Sequence, residues 1–304
     1  TAQSEVLVLA HAQPDGDAVG SALAIQLLLH LLGVKSIIIW DKVNPDAWRN
    51  WAVFQSATTG AIDSLAVYPV VITVDCSNPS RLGIAEPFIA TAKTIINIDH
   101  HTDNSLFGTL NWVHDAASVG ELIDAFLPLF DVTITVPLAE ALLVSIITDT
   151  GRFKYSNTSA HIFLTTHRLV ALVGQARYHK LVSDLYAEES LRKWQLVSEA
   201  IQNLTLVDDG VAFSFIAQDC GDEDGLVDPV LSIRGVRAAV LARPVGDQLR
   251  LSFRAKDPSL NVRDLANQFG GGGHIHASGA TLALTNFSDQ IAEIKAATEA
   301  YFRG

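Results

Sequence analysis

The chain has 304 residues, 49% of them hydrophobic, with a mean hydropathy of +0.26 and a formal net charge of −12 at pH 7. This composition suffices for a sizeable core and excludes a disordered chain, and the negative charge argues against a protein that tracks along long nucleic acid. Two distant cysteines indicate no disulfide framework. The length of the chain predicts two domains. No stretch has the ~18 apolar residues of a membrane span, and no signal peptide is recognisable. We therefore expect a cytoplasmic protein without a membrane partner.

The first chemically informative stretch covers residues 6–29, VLVLAHAQPDGDAVGSALAIQLLL. Its apolar run Val6–Leu9 predicts a buried parallel strand, and an apolar helix follows after a short loop. That loop holds His11, Asp15 and Asp17, at the end of a strand, where open α/β sheets carry their chemistry. Carboxylates suit Mg²⁺ or Mn²⁺, and a histidine favours Mn²⁺. The alternative is an Asp-rich turn that only caps the helix.

Three further apolar runs predict parallel strands. They are Ser36–Trp40, Val70–Val74 and Thr94–Ile98. The second of these runs ends on Asp75, and the third ends on the triplet Asp99, His100 and His101. Parallel strands place such ends at one edge of the sheet, so these side chains are predicted to converge.

Helical periodicity dominates the middle of the chain. It covers Ser118–Phe130, Leu138–Ile147 and residues 159–203. The second helix runs into Thr148-Asp149-Thr150-Gly151, so Asp149 also lies at the end of an element. From Leu204 the pattern changes to short strands, with helices at Asn261–Phe269 and Asp289–Phe302.

These patterns predict an α/β protein with two domains. We expect a first domain with a mostly parallel sheet at 1–186, a helical linker at 187–204 and a smaller α/β domain at 205–304. The active site is expected in the cleft between the two domains.

The candidate ligands number more than one divalent ion with open positions would use. They are His11, Asp15, Asp17, Asp75, His100 and Asp149. Two ions that share one carboxylate fit this number better, and such a pair activates a bridging water and clamps phosphate oxygens. His101 would then protonate a leaving oxygen or hold a phosphate oxygen; the alternative is a purely structural histidine.

The motifs in residues 6–155 together resemble the DHH phosphoesterase superfamily. The resemblance rests on the H-x-x-x-D-x-D loop, the aspartate that ends the third strand, the Asp-His-His triplet and the later Asp-Thr-Gly. It implies one Mn²⁺ bound by His11, Asp15 and Asp75. It implies a second bound by Asp17, Asp75, His100 and Asp149. His101 would be the histidine that faces the substrate, and we assign it a catalytic role together with Asp99.

The glycine-rich stretch FGGGGHIHASGA, residues 269–280, resembles the signature of the DHH-associated C-terminal domain in the nanoRNase and pAp-phosphatase branch. Consecutive glycines let backbone N–H groups approach an anion closely; the alternative is a flexible turn between helix and strand. The expected substrate-binding residues are Arg254, Gly272, Gly273, His274 and Ser278.

The resemblance implies a two-metal hydrolase that acts on RNAs of two to five nucleotides or on 3′-phosphoadenosine 5′-phosphate, and the sequence does not decide between them. Mn²⁺ is the favoured ion, with Mg²⁺ and Co²⁺ as alternatives. The alternative activities are cyclic- or linear-dinucleotide hydrolysis and pyrophosphate hydrolysis. A module that binds nucleotides without turnover is a further alternative. A homodimer is left open as the assembly.

Overall fold

The computed structural model describes residues 5–43, 48, 50–60, 66–186, 190–221, 223 and 225–303. The chain divides into two compact units, Thr1–Glu188 and Glu189–Gly304. Each unit has its own sheet covered by helices, which confirms the predicted α/β class. No helix in the described part of the chain is long and apolar enough to cross a membrane.

The first unit is built on a five-stranded sheet in which every pair of neighbours is parallel. Its strands are β1 (Val6–Ala10), β2 (Ser36–Ile39), β3 (Val70–Val74), β4 (Thr94–Asp99) and β5 (Leu110–Val113), in the order β2-β1-β3-β4-β5. The central strands are apolar because helices cover both of their faces. The strand β5 was missed from the sequence, since this edge strand is mostly exposed and has no apolar run.

Seven α-helices accompany this sheet in the described residues. They are α1 (Gly16–Leu31), α2 (Ala52–Gln55), α3 (Pro87–Thr91), α4 (Val119–Phe126), α5 (Val136–Asp149), α6 (Ala160–Val173) and α7 (Gln175–Tyr186). The helices α1 and α5 are buried along almost their whole length. They pack closely because Gly20 of α1 has no side chain: a Cβ there would lie 2.7 Å from the Ala141 carbonyl oxygen.

The region 159–203, predicted as continuous helix, is divided into α6, α7 and α8 (Leu191–Gln202). Gly174 ends α6 with a left-handed φ of 85°, a conformation that favours glycine. The helix α8, which the sequence analysis assigned to a linker, contributes Leu196, Val197 and Ala200 to a buried cluster of the second unit. We therefore propose that the second domain begins at or before this helix.

The second unit has a mixed six-stranded sheet in the order β10-β11-β9-β8-β7-β6. Its strands are β6 (Thr205–Asp208), β7 (Val211–Phe215), β8 (Ala238–Val245), β9 (Gln248–Ala255), β10 (Gly272–His274) and β11 (Ala277–Ala283). Its remaining helices are α9 (Val227–Leu231), α10 (Arg263–Gln268) and α11 (Phe287–Arg303). One face of the sheet packs with residues of α10 and α11, and part of the other face packs with residues of α8 and α9.

The glycine-rich stretch forms a β-hairpin, which the sequence analysis, with its alternatives of an anion-binding stretch and a flexible turn, did not predict. Gly272, Gly273 and His274 pair with β11 as an edge strand. The close pairing explains two glycines: a Cβ on Gly271 would lie 2.1 Å from the Gly279 carbonyl oxygen, and Gly273 has a φ of 133°. Part of the glycine requirement is thus set by packing.

Candidate metal centre

Three parallel strands deliver polar side chains to one edge of the first sheet. His11 follows β1, Asp75 follows β3, and His100 and His101 follow β4. The three strands are neighbours, with β3 between β1 and β4, so these side chains converge. Asp75 has a left-handed φ of 51°, a conformation that costs about 1–3 kcal/mol for a residue other than glycine.

The first group of side chains combines His11, Asp15 and Asp75. His11 Nε2 lies 3.8 Å from Asp15 Oδ1 and 3.3 Å from Asp75 Oδ2. The other ring nitrogen, Nδ1, lies 2.9 Å from the Ala12 carbonyl oxygen and is assigned as its donor, so Nε2 is directed at the carboxylates. Asp15 Oδ1 also accepts a hydrogen bond from Ala18 N at the start of α1. Asp15 therefore caps α1 and also lies where a metal ligand is expected.

The second group combines Asp17, His100 and Asp149 with Asp75. His100 Nε2 lies 3.6 Å from Asp17 Oδ2, 3.6 Å from Asp75 Oδ1 and 3.5 Å from Asp149 Oδ2. His100 Nδ1 lies 3.1 Å from the Ala116 carbonyl oxygen, which again leaves Nε2 to face the carboxylates. The two oxygens of Asp75 thus face different histidines.

These separations fit cation sites. Two ligand atoms that are each about 2.1 Å from a common ion lie roughly 3–3.5 Å apart, close to the 3.3–3.8 Å found between the histidine nitrogens and the carboxylate oxygens. Two Nε2 atoms and four carboxylates make a mixed nitrogen and oxygen donor set. The geometry therefore suits two divalent cations with Asp75 between them.

The pKa values of the cluster indicate that it has more negative charge than its own histidines neutralise. Burial raises the pKa of Asp17, and the charges of Asp75 and Asp149 raise it further, to well above its ordinary value. Burial and neighbouring aspartates raise the pKa of Asp149 to about 7, although His100 lowers it. Burial lowers the pKa of His11 and His100, but their aspartate partners outweigh it, and both pKa values lie well above the ordinary one. The cluster holds protons where cations would neutralise it.

Asp17 is held by a residue that the sequence analysis did not select. Ser145 Oγ of α5 donates to Asp17 Oδ1 at 2.5 Å, and Val119 N of α4 donates to Asp17 Oδ2 at 2.9 Å. Gly120 N donates to the same Ser145 oxygen, and a Cβ on Gly120 would lie 2.2 Å from it. The helices α4 and α5 therefore hold this carboxylate of α1. The only signal in the sequence was that Gly120 and Ser145 are small.

His101 differs from the other two histidines, because its Nδ1 faces a carboxylate and its Nε2 faces an arginine. Nδ1 lies 2.7 Å from Asp99 Oδ1, and Nε2 lies 3.2 Å from Arg81 Nη1. Asp99 is fully buried and also accepts from His100 N and from Asn104 Nδ2. Asp99 and Arg81 thus contact opposite nitrogens of the His101 ring, Asp99 at Nδ1 and Arg81 at Nε2. Arg81 and Asn104 were both missed from the sequence, since only the fold brings them to His101.

In the second unit, the structure brings some of the expected substrate residues onto one face. Arg254 pairs with Ala277, which pairs with His274; paired residues share a face, so Arg254 and His274 lie on one face, two strands or about 10 Å apart. Gly272 and Gly273 are exposed in the edge strand. Ser278 is buried, and its hydroxyl donates to the His274 carbonyl oxygen at 2.7 Å. The Ser278 side chain therefore stabilises the hairpin.

Comparison with known proteins identifies relatives of both units. Residues 5–167 match the model of the DHH family, N-terminal domain, and residues 209–304 match the DHHA1 domain. The chain is 26% identical to the bifunctional oligoribonuclease and PAP phosphatase NrnA of Thermus thermophilus, over 92% of this chain and 85% of the relative. It is 27% identical to the NrnA of Bacillus subtilis, over 94% and 92%. The crystal structure of an exopolyphosphatase-related protein from Bacteroides fragilis has the same fold, with a TM-score of 0.80, 21% identity and coverage of 98% and 92%.

Proposed function

The chain belongs to the DHH family, and we propose that it is a metal-dependent phosphoesterase acting on short oligoribonucleotides and on 3′-phosphoadenosine 5′-phosphate. The observation that carries the proposal is the set of two histidine Nε2 atoms directed at four carboxylates on one sheet edge. The substrate class is supported by the two NrnA relatives, which are named for oligoribonuclease and PAP phosphatase activities.

We assign two metal positions to the cluster. The first uses His11, Asp15 and Asp75. The second uses Asp17, Asp75, His100 and Asp149. Two divalent cations held in this way would activate the attacking water and clamp the phosphoryl oxygens. Mn²⁺ is the ion that we propose, since imidazole beside carboxylates suits it better than Mg²⁺; Co²⁺ is an alternative.

His101 is the proposed proton-transfer residue. Its Nδ1 is committed to Asp99 at 2.7 Å, so Nε2 is the atom that can hand a proton to a leaving oxygen or hold a phosphoryl oxygen. Asp99 is buried and has no access to a substrate. We therefore assign it a positioning role, in which it orients the imidazole ring.

The proposed reaction balances with one water. The water oxygen forms a bond to phosphorus while the bond from phosphorus to the ribose oxygen breaks. The electron pair of that bond stays on the ribose oxygen, which takes up a proton, and the hydroxyl group of the water remains on the phosphoryl product. The proton that the water loses therefore equals the proton that the leaving oxygen gains.

We assign the distal phosphate of the substrate to the second domain. Arg254 and His274 share a face of the sheet, and the adjacent Gly272 and Gly273 expose backbone there. A guanidinium, an imidazole and an open strand edge together suit an anion. A second phosphate contact of this kind would favour short substrates over long chains.

The acidic chain makes long nucleic acid an unsuitable partner. We keep the cytoplasm as the proposed compartment, because the substrates are short RNAs and nucleotides and both cysteines are free. A homodimer is the assembly to be tested by light scattering.

A substrate panel tests the proposed function. Metal-free protein would be reconstituted with Mn²⁺ and assayed on 3′-phosphoadenosine 5′-phosphate, an RNA dinucleotide, a pentanucleotide, a long RNA and cyclic dinucleotides. The proposal predicts turnover of the first three and about 100-fold or more slower turnover of the long RNA. Faster turnover of the cyclic dinucleotides would establish the alternative activity, and binding without hydrolysis of any of them would indicate an inactive nucleotide-binding module.

A further inference from the structure

We propose that Arg81 is a further catalytic residue, whose guanidinium binds a non-bridging oxygen of the phosphoryl group that is cleaved. The inference rests on the proposed function, because it deepens the chemistry of the same site. It starts from the contact between Arg81 Nη1 and His101 Nε2, which are 3.2 Å apart.

Arg81 differs in its partners from the arginines of the chain that are paired with carboxylates. Arg168, Arg177 and Arg237 each form an ion pair with a carboxylate. Within the described residues, Arg81 has no carboxylate within 4.0 Å, and the only side chain it hydrogen-bonds is that of His101. A half-buried guanidinium without a carboxylate partner, beside a centre for phosphoryl transfer, is suited to an anion supplied by the substrate.

The backbone around Arg81 is fixed to the site by short contacts. Arg81 lies in the 3₁₀-helix Pro79–Ala85, and its carbonyl oxygen accepts from Ala12 N, next to His11, at 2.6 Å. Asp41 accepts from Ile84 N at 3.0 Å. Gly83 has a φ of 59°, and a Cβ there would lie 1.9 Å from Asp41 Oδ2. These contacts fix the backbone at Arg81 next to the site, and its guanidinium lies against His101.

The contact also has a consequence for proton transfer. Arg81 can only donate, so His101 Nε2 is the acceptor of this hydrogen bond. When a phosphoryl group enters, its oxygens are stronger acceptors than the imidazole nitrogen, so the guanidinium transfers its hydrogen bond to them. That transfer leaves Nε2 of His101 facing the phosphoryl group, as its proposed role at the leaving oxygen requires. Arg81 thus stabilises the charge on the phosphoryl oxygens and releases the proton-transfer atom in one movement.

The test compares Arg81→Ala and Arg81→Lys with Arg234→Ala, which removes an exposed guanidinium outside the proposed machinery. Metal content, melting temperature, kcat and KM would be measured for each protein with an RNA dinucleotide. We expect Arg81→Ala to lower kcat by about 10²–10³-fold with unchanged metal content, the range for loss of one preorganised donor. Lysine should recover part of the loss, and added guanidinium ion should partly rescue Arg81→Ala.

Two further readouts separate a direct phosphoryl contact of Arg81 from an effect that passes through His101. Calorimetry with inorganic phosphate should show weaker binding to metal-loaded Arg81→Ala than to Arg234→Ala. In a His101→Ala background, Arg81→Ala should still lower kcat at least about tenfold, since the phosphoryl contact does not pass through the imidazole.

The inference is overturned if Arg81→Ala has kcat within threefold of the control, or if its loss has no effect once His101 is removed. In the second case Arg81 only positions His101. Absence of turnover in the wild-type protein would instead reject the proposed function, so the two failures are distinguishable.

Discussion

Asp75 is the residue on which the site depends most. Its two carboxylate oxygens face His11 and His100 separately. Burial raises the pKa of Asp75, but hydrogen bonds from His100 and His11 outweigh it and hold that pKa well below its ordinary value. A carboxylate that stays ionised between two sets of ligands is what a shared metal ligand requires.

We predict that Asp75→Asn leaves fewer than one tightly bound metal ion per chain and abolishes turnover. Asparagine keeps the volume and tolerates the left-handed backbone at this position, so the charge is the main change. Elemental analysis after dialysis, with circular dichroism as a folding control, measures the effect. Two ions per chain with near-normal activity would reject the shared-ligand assignment.

We also predict that Mn²⁺ affinity rises with pH. Asp149 has a pKa of about 7, and the pKa of Asp17 is well above its ordinary value, so below about pH 7 protons occupy groups that a metal ion needs. Each displaced proton changes the Kd about tenfold per pH unit. Calorimetric Kd values at about pH 6 and about pH 8 should therefore differ by tenfold or more. A Kd that is the same at both values would show that these carboxyls do not ligate the metal.

At the scale of elements, α1, α4 and α5 pack together and hold Asp17, which we propose as a ligand of the second metal position. Gly20 and Gly120 allow these helices to approach until Ser145 reaches Asp17. The apolar character of α1 and α5 was recognisable from the sequence, but the hydrogen bond across 128 positions was not, because helix propensity carries no information about the partner helix.

We predict that Gly20→Ala lowers the unfolding free energy by about 1–3 kcal/mol, although alanine is the better helix former, because the helices must separate. The change should also weaken Mn²⁺ binding, since it displaces Ser145 from Asp17. Denaturant unfolding with Ser198→Ala, an exposed helical position, as control measures this. A loss no larger than the control, under about 0.5 kcal/mol, would show that the close packing is not required.

The hairpin of β10 and β11 is the second element with a functional expectation. His274→Ala should lower kcat/KM for nucleotides by about one to two decades, the cost of one hydrogen bond to a charged group. Hydrolysis of a small generic phosphoester should hardly change. His276→Ala is the matched control, because that imidazole contacts the Pro258 carbonyl oxygen instead. Equal loss of both activities would show that His274 only stabilises the hairpin.

At the scale of the whole molecule, the sequence predicted the strands that consist of buried apolar residues. The strands β1, β3 and β4 were found because each is an apolar run, buried throughout in β1, nearly throughout in β3 and in the second half of β4. The exposed edge strand β5 and the pairing of Gly272 with Gly279 were not, because both depend on neighbours distant in sequence. In the site, too, local patterns were recognisable and contacts between distant residues were not. Residues at strand ends could be selected, whereas Arg81 and Ser145 reach the site only through tertiary structure.

The most direct test of a two-metal phosphoesterase is a titration of Mn²⁺ into metal-free protein while the hydrolysis of a labelled RNA dinucleotide is followed. The structure gathers two histidines and four carboxylates around Asp75. We propose these side chains as ligands for two cations, and both cations would be needed to activate the water and to clamp the phosphoryl group. We expect turnover to rise with added Mn²⁺ and to reach its plateau at two equivalents per chain. Full turnover at one equivalent or fewer, or no turnover at any concentration of Mn²⁺, would contradict this account.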